Sequence, residues 1–497
     1  VSQQPVKSLG RLYDASLKDT GRARETRVTT KAGLEKINKC SLQGKFKVWI
    51  FQHVFLPKLL WLLLIYDICT SKVERLEAMT SKFLRRWLGV PPSFSNVGLY
   101  GRANKLALPI KSITEEFKVG KARLLMMFQT SEDTLVRSTL PTIRTGRKWT
   151  AQGAVDAATE SLMLKEVLGH SQTGRQGLGY GTKTIFWSKA GNRGKRDLVS
   201  QEVRAAEEAK RTATAVQQAQ QGQWMSWGAA EQRKLSWKEI WHMAPMRLAF
   251  IIRATYDLLP TNANLARWGK TSDTSCPLCG LKQTLNHVLA ACSVALSLGR
   301  YTWRHNQVLH HLAQAAEEAI GLANAATKEA GPTQQKGFVR AGESGGASQG
   351  RMAPTSILAA AQDWRLATDL KGRGWYPPEI RETGQRPDIV LYSAATKRMI
   401  CLELTVPMED RMEEWHQVKL AKYEPLANQL RSQGIRTTIL AVEVGARGFT
   451  SHTIHSTCRQ LGLSSRQCTR AAGLMSEAAE RASVWIWMRR NTRDHSS

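Results

Sequence analysis

The sequence predicts a multidomain chain: a mainly α-helical N-terminal half, a small cysteine-histidine module, and a mixed α/β domain at the C-terminal end. Three observations predict it. Apolar residues recur at helical spacing through much of the first 145 residues. Of eight cysteines, three crowd beside a histidine between Cys276 and Cys292, while the others are scattered. Beyond about residue 356 the pattern changes to short β-rich runs around one long helix. With 497 residues there is room for roughly three or four domains.

Lys and Arg total 71 against 41 Asp and Glu, a net charge of +30, which calls for a polyanionic partner. The basic residues are spread along the chain and not gathered beside one apolar segment, which favours nucleic acid over an anionic membrane. An apolar content of 42% is too high for an intrinsically disordered chain. The longest apolar stretch, Phe51 to Cys69, is interrupted by Pro57, Lys58 and Asp67. Its unbroken core, Leu59 to Tyr66, is far short of the ~20 residues of a spanning helix, so a buried helix and no membrane partner are expected. No secretory signal opens the chain. The scattered cysteines point to a reducing compartment, the cytosol or nucleus. A first residue of valine suggests a fragment.

Residues 1–145 read as helical. The run FKVWIFQHVFLPKLLWLLLIYDI leads into VERLEAMTSKFLRRWLGV, which should stop at Pro91-Pro92. Arg85 and Arg86, beside Trp87, are candidates for a phosphate backbone, although a solvated helix face explains such a pair as well. Residues 146–270 read as a basic helical linker. GRQGLGYGTKT and SKAGNRGKRD look like loops and fit no phosphate-binding glycine pattern. VSQEVRAAEEAKRTATAVQQAQQGQ has the composition of a long, mostly exposed helix. Trp224, Trp227, Trp237 and Trp241 read chiefly as packing residues. RLAFIIRATYDLLPTNANLARWG should form a helix, a Leu-Pro break and a second short helix.

Residues 271–297 hold the spacing C-x2-C-x7-H-x4-C, formed by Cys276, Cys279, His287 and Cys292. Zinc prefers four nitrogen and sulfur ligands in a tetrahedron, and this set leaves no open position, so the site should be structural. Gly280 eases the turn after the second cysteine. A redox pair is disfavoured because the CxxC does not open a helix after a strand.

Residues 298–497 should begin with a helix from about 293 to 328, followed by a Gly/Ser/Gln-rich flexible loop over about 328–356. RPDIVLYS and RMICLELTVP then read as adjacent strands, EDRMEEWHQVKLAKYEPLANQLRSQG as a helix, and TTILAVEV as a third strand. The tail from Ser451 should be helical again. Asp388 opens the first strand and Glu403 lies within the second, on the opposite face from Leu402 and Leu404. A carboxylate buried there needs a cation. Phosphodiester hydrolysis commonly uses Mg²⁺ between two carboxylates with a lysine nearby. Lys419, Lys422 and Tyr423, at i, i+3 and i+4, share one helix face able to supply it. The competing reading is an edge strand with solvated charges and lysines paired to Glu413, Glu414 or Glu424.

Together CPLCGLKQTLNHVLAAC, GRYTWRHNQVL, RPDIVLYS, CLELTVP and KLAKYEPLA resemble the C-terminal part of non-LTR (LINE-type) retrotransposon polyproteins. These combine a reverse transcriptase, a CCHC zinc knuckle and a restriction-like endonuclease. The apolar run after residue 45 is similar to their thumb, and YDLLPTNANLARW to the linker before their knuckle. The resemblance implies a PD-(D/E)xK-like α/β fold, with Asp388 and Glu403 as Mg²⁺ ligands and Lys419 or Lys422, with Tyr423, replacing a lysine whose usual place is taken by Thr405. Relatives often show an Arg-His-Asp triplet where this chain has Arg304-His305-Asn306. Arg304 and His305 are thereby expected on nucleic acid. The resemblance further implies nuclear action on chromosomal target DNA, with the element's RNA as second partner and nicking that primes reverse transcription.

No Asp-Asp dipeptide occurs, so a polymerase palm is expected to be missing and no polymerase activity is expected. Two alternatives to an endonuclease stay open: a catalytically inactive nucleic-acid-binding remnant or co-opted knuckle protein, and, more weakly, a zinc-finger transcription factor, for which a single knuckle provides no array.

Overall fold

The computed structural model describes residues 6–8, 11–13, 21–139, 143–168, 172–174, 177–179, 187–325, 356–368, 370, 376–381 and 385–493. The chain divides into two units: Val1–Gly222 with Lys234–Ile252, and Gln223–Arg233 with Arg253–Ser497. The segment expected as a linker, 146–270, is shared between them. The expected loop at 328–356 lies outside the described residues apart from its last residue, as does most of GRQGLGYGTKT.

The first unit is almost entirely helical. Its longer helices are Arg22–Lys39, Thr70–Leu88, Ile113–Gln129, Ala151–Leu168 and Asn192–Val216. Thr70–Leu88 ends at Gly89, whose φ of 67° closes the helix in the left-handed region, just ahead of the proline pair. The apolar run is longer than its sequence suggests. Pro57 sits at the start of Leu56–Ile65 and a π-helical turn, Phe51–Phe55, joins it to Gly44–Ile50. The result is a continuous 22-residue helix, Gly44–Ile65, long and apolar enough to cross a membrane by length and composition. Phe51, Leu56, Leu59 and Leu63 are buried, whereas Val54 and Trp61 are exposed. At its C-terminal end the Lys121 ammonium donates to the carbonyls of Leu64 (2.9 Å) and Tyr66 (3.1 Å), placing a cation where the helix dipole is negative.

SKAGNRGKRD is only partly a loop, because Asn192–Val216 already begins within it. Arg123 bonds Asp197 in the second turn of that helix at 2.6 Å, while Arg204 and Arg211 bind the buried Glu115 at 2.8 and 2.6 Å. Anchors on a partner helix are invisible to local composition.

The second unit is built on a four-stranded sheet, β1 (Arg365–Thr368), β2 (Ile389–Ser393), β3 (Arg398–Thr405) and β4 (Arg436–Glu443). Its order is β4-β3-β2-β1. The β1-β2 and β2-β3 pairs are antiparallel and β3-β4 is parallel, so a crossover must join β3 to β4. Helix α2 (Met412–Ser432) provides it. Residues of α2, among them Tyr423, Leu426 and Leu430, pack with Met399 and Cys401 on one sheet face. Helices α1 (Arg300–Ala325), α3 (His452–Gln460) and α4 (Ser465–Met488) pack with Ile400, Leu402 and Leu404 on the other. Alternation along β3 therefore sends its odd-numbered residues, Glu403 included, toward α2.

The helix expected over 293–328 is broken. Ser293–Ser297 is capped at Leu298, Gly299 adopts φ 70°, and α1 begins at Arg300. Arg304, expected on nucleic acid, is 2% exposed and cannot lie on a phosphate backbone. Its guanidinium donates to the Leu289 carbonyl (2.8 Å), Ser483 Oγ (3.1 Å) and the Val406 carbonyl (3.1 Å). It thereby ties the cysteine-histidine module to α4 and the end of β3. Arg304→Met is expected to destabilise this unit by about 3 kcal/mol, since it strands the buried Leu289 carbonyl and the half-buried Val406 one. Hydrogen exchange of β3 amides measures the loss; unchanged protection refutes the tie.

Candidate active site and metal centre

Asp388 and Glu403 meet at the junction of β2 and β3. The register pairs Ile389 with Leu402, which sets Asp388 opposite Glu403. The Asp388 amide donates to Glu403 Oε2 at 3.2 Å, and the Leu404 amide donates to Asp388 Oδ2 at 2.8 Å. Each carboxylate is thus fixed by the backbone of the other's strand. Glu403 is 2% exposed. Burial, and then the charge of Asp388, push its carboxyl above the ordinary range, opposed by Lys419.

Of the two candidate lysines, Lys419 is the one that reaches the pair, forming a hydrogen-bonded ion pair with Glu403 Oε1. Lys422 is exposed, with its ammonium 3.0 Å from Tyr423 Oη. Tyr423 is buried and donates its hydroxyl to the Arg386 carbonyl at 3.1 Å, just upstream of Asp388. Burial first, then the charges of Glu403 and Asp388, hold that hydroxyl strongly against ionisation. Thr405, on the same strand face as Glu403, is buried, with no partner for its hydroxyl among the described residues.

His305, expected on nucleic acid, faces the acidic pair from α1. Its Nε2 lies 3.3 Å from Asp388 Oδ2 and 3.2 Å from the Leu404 carbonyl, and its Nδ1 is 3.2 Å from Asn306 Oδ1. Burial disfavours its charged form, but Asp388, Asn306 and the Leu404 carbonyl together outweigh this and raise its pKa. In the other unit, Arg85 is engaged by its own surroundings, donating to the Phe94 carbonyl at 2.6 Å and Asn96 Oδ1 at 2.7 Å. Arg86 is exposed.

Sequence reading missed a second carboxylate-base pair. His416, one turn before Lys419 on α2, places Nδ1 2.8 Å from Glu443 Oε1. Glu443 ends β4 in register with Thr405, and its other oxygen accepts from Thr453 Oγ1 at 2.8 Å and Ser451 Oγ at 3.3 Å. The available signal was a glutamate closing an apolar strand, with a histidine three residues before the candidate lysine.

Lys419→Met is expected to leave Glu403 as an uncompensated buried charge, costing about 3 kcal/mol at neutral pH. Lys419 opposes the upward shift of Glu403, so removing it raises that pKa further. A carboxyl with a raised folded pKa loses stability as pH rises from its unfolded pKa through its folded one. The variant should therefore recover stability on acidification, read as β3 hydrogen exchange at pH 5 against pH 8. A pH-independent deficit contradicts the pairing.

The cysteine-histidine module is built by a tight turn. The Cys276 amide donates to the Leu281 carbonyl at 2.7 Å and the Gly280 amide to the Cys276 carbonyl at 2.8 Å, with Gly280 at φ 79°. His287 opens a π-helical turn, His287–Ala291, that ends at Cys292. The ligand atoms of Cys276, Cys279, His287 and Cys292 all lie within 4.8 Å of one another, and Cys279 Sγ is 3.2 Å from His287 Nε2. The edge of a tetrahedron with Zn–S bonds of about 2.3 Å is close to 4 Å, so zinc fits. Burial lowers the His287 pKa and favours the neutral imidazole that metals bind. Burial, then the neighbouring Cys276 and Cys279, pushes the Cys292 thiol up to about 11. The Cys292 thiol resists ionisation until a cation offsets its charge.

Residues 221–298 match the family described as zinc-binding in reverse transcriptase. All four ligands fall inside the match, and the segment is a reverse transcriptase-associated zinc-binding region. A search of the curated proteins returns no match.

Proposed function

We propose that the sheet-bearing part of the second unit is a divalent-metal-dependent DNA endonuclease of the PD-(D/E)xK kind, following a zinc knuckle in the same unit and a thumb-like helical first unit, as in LINE-type retrotransposon proteins. The observation that carries the reading is the interlocked Asp388–Glu403 pair with the Lys419 ammonium on Glu403. Two hard carboxylate oxygens suit Mg²⁺, and the Thr405 hydroxyl, on the same strand face as Glu403 and without a partner among the described residues, adds a further oxygen donor. Asp388 and Glu403 would hold the ion, which supplies charge stabilisation at the scissile phosphate and a more acidic water. Lys419 offsets negative charge at Glu403 and can orient an attacking water. His305 holds Asp388 from the opposite side.

The matched zinc region supports the retrotransposon setting. The +30 charge supports binding of target DNA and element RNA. Reverse transcription itself would rest on a palm domain supplied by other sequence, and nuclear action follows from the chromosomal substrate. The test is nicking of supercoiled plasmid in Mg²⁺ by the parent chain against Asp388→Ala. Binding without cleavage under any metal or pH leaves the inactive, nucleic-acid-binding remnant as the answer.

A further inference from the structure

We propose that the groove between α3 and the start of α4 binds the phosphodiester backbone of duplex DNA. Helix α3 buries Ile454 and Cys458 and turns His452, His455 and Arg459 the other way, at i, i+3 and i+7. With Ser465 and Thr469 of α4, they line a groove of about 680 Å³. Its one acidic lining residue, Glu231, lies 3.8 Å from His455. Imidazole and guanidinium donors, with the Ser465 hydroxyl, suit phosphate oxygens, which only accept, whereas Thr469 Oγ1 already donates to the Ser465 carbonyl at 2.9 Å.

Several exposed arginines of this unit are already neutralised. Arg411 pairs with Glu414, Arg470 with Glu318 and Arg481 with Glu477. The Arg459 guanidinium is exposed and has no hydrogen-bonded or ion-paired partner among the described residues. A cation left unneutralised inside a groove of donors is available to a polyanion.

The position of α3 selects duplex DNA. Ser451 and Thr453, at the head of α3, bond Glu443 at the end of β4. Strand β3 runs parallel to β4, and Glu443 is in register with Thr405, two residues past Glu403. The helix therefore starts at the sheet end that carries the acidic pair. From His452 to Arg459 it spans about 10 Å, enough to follow two or three phosphates at roughly 3.4 Å of axial rise per strand. The choice of DNA rests on the endonuclease reading; the groove's affinity for a phosphate backbone does not.

The experiment is a salt series of equilibrium binding between the full chain and a 30-base-pair duplex without Mg²⁺, repeated with single-stranded RNA. Arg459→Gln should lower the slope of log K against log salt by about 0.9, one phosphate contact, and weaken binding several-fold. Thr469→Glu, which adds an anion to the groove, should weaken binding at least as much. Arg481→Gln, already paired to Glu477, should change nothing. An unaltered slope in both groove variants overturns the proposal, as does a loss confined to RNA. If the parent never nicks plasmid yet both groove variants lose slope on duplex, the endonuclease reading fails and the groove stands.

Discussion

Asp388→Ala is expected to reduce plasmid nicking by roughly a thousandfold or more while the affinity for duplex DNA stays within about twofold. The size follows from what the side chain does under the endonuclease reading: it supplies one of two anionic ligands, and removing a preorganised charge at a transferring phosphoryl group costs several kcal/mol of transition-state stabilisation. The preserved affinity follows because Asp388 repels phosphate, so its loss removes no attractive contact. Asp388→Asn sharpens the test. It keeps the oxygen that accepts from the Leu404 amide and removes only the charge, so a structural role would leave it active and a metal-binding role would not. Glu403→Gln should match it in activity. It should also ease the burial of charge on β3, since the wild-type carboxyl is already pushed toward its neutral form. A variant at either position that nicks at the parental rate would remove the acidic pair from the chemistry.

The pair was legible because strands alternate: Glu403 between two leucines, with Asp388 opening the preceding β-run, needs only a hairpin to bring them together, and the register supplies it. Lys419 and Lys422 could not be separated from sequence. Helical spacing puts both near one face, but which ammonium reaches β3 depends on how α2 rotates over the sheet, and Tyr423 draws Lys422 to its own hydroxyl. Arg304 was misread for a related reason. An arginine beside a histidine in a basic chain looks solvent-facing, yet the backbone carbonyls it satisfies, at Leu289 and Val406, come from segments 15 and 102 residues away. Pro57 was read as a break in the apolar run when it stands at the first turn of a helix segment, where its missing N–H matters least. The cysteine spacing needed no tertiary information, because all four ligands come from one short stretch of chain.

Cys279→Ser is expected to release the zinc and unfold the module around it, with loss of amide protection from Cys276 through Cys292. The module has little core of its own: Cys276, Leu278, Cys292 and Ala295 form its buried cluster, and two of those four are ligands. The metal must therefore provide most of its stability, on the order of 10 kcal/mol for structural zinc at neutral pH. Replacing one thiolate by a hydroxyl weakens that binding below what holds the turn together. The damage should reach further. Tyr301 donates to the carbonyls of His287 and Val288, Arg304 to that of Leu289, so both lose partners and the start of α1 should exchange faster, while β2 and β3 keep most of their protection. Cobalt substitution gives an independent reading, since three thiolates produce charge-transfer absorption that the variant should lose in part or whole. Full zinc occupancy in Cys279→Ser, with the turn still protected, would mean that the four side chains are held by packing and that the metal is incidental.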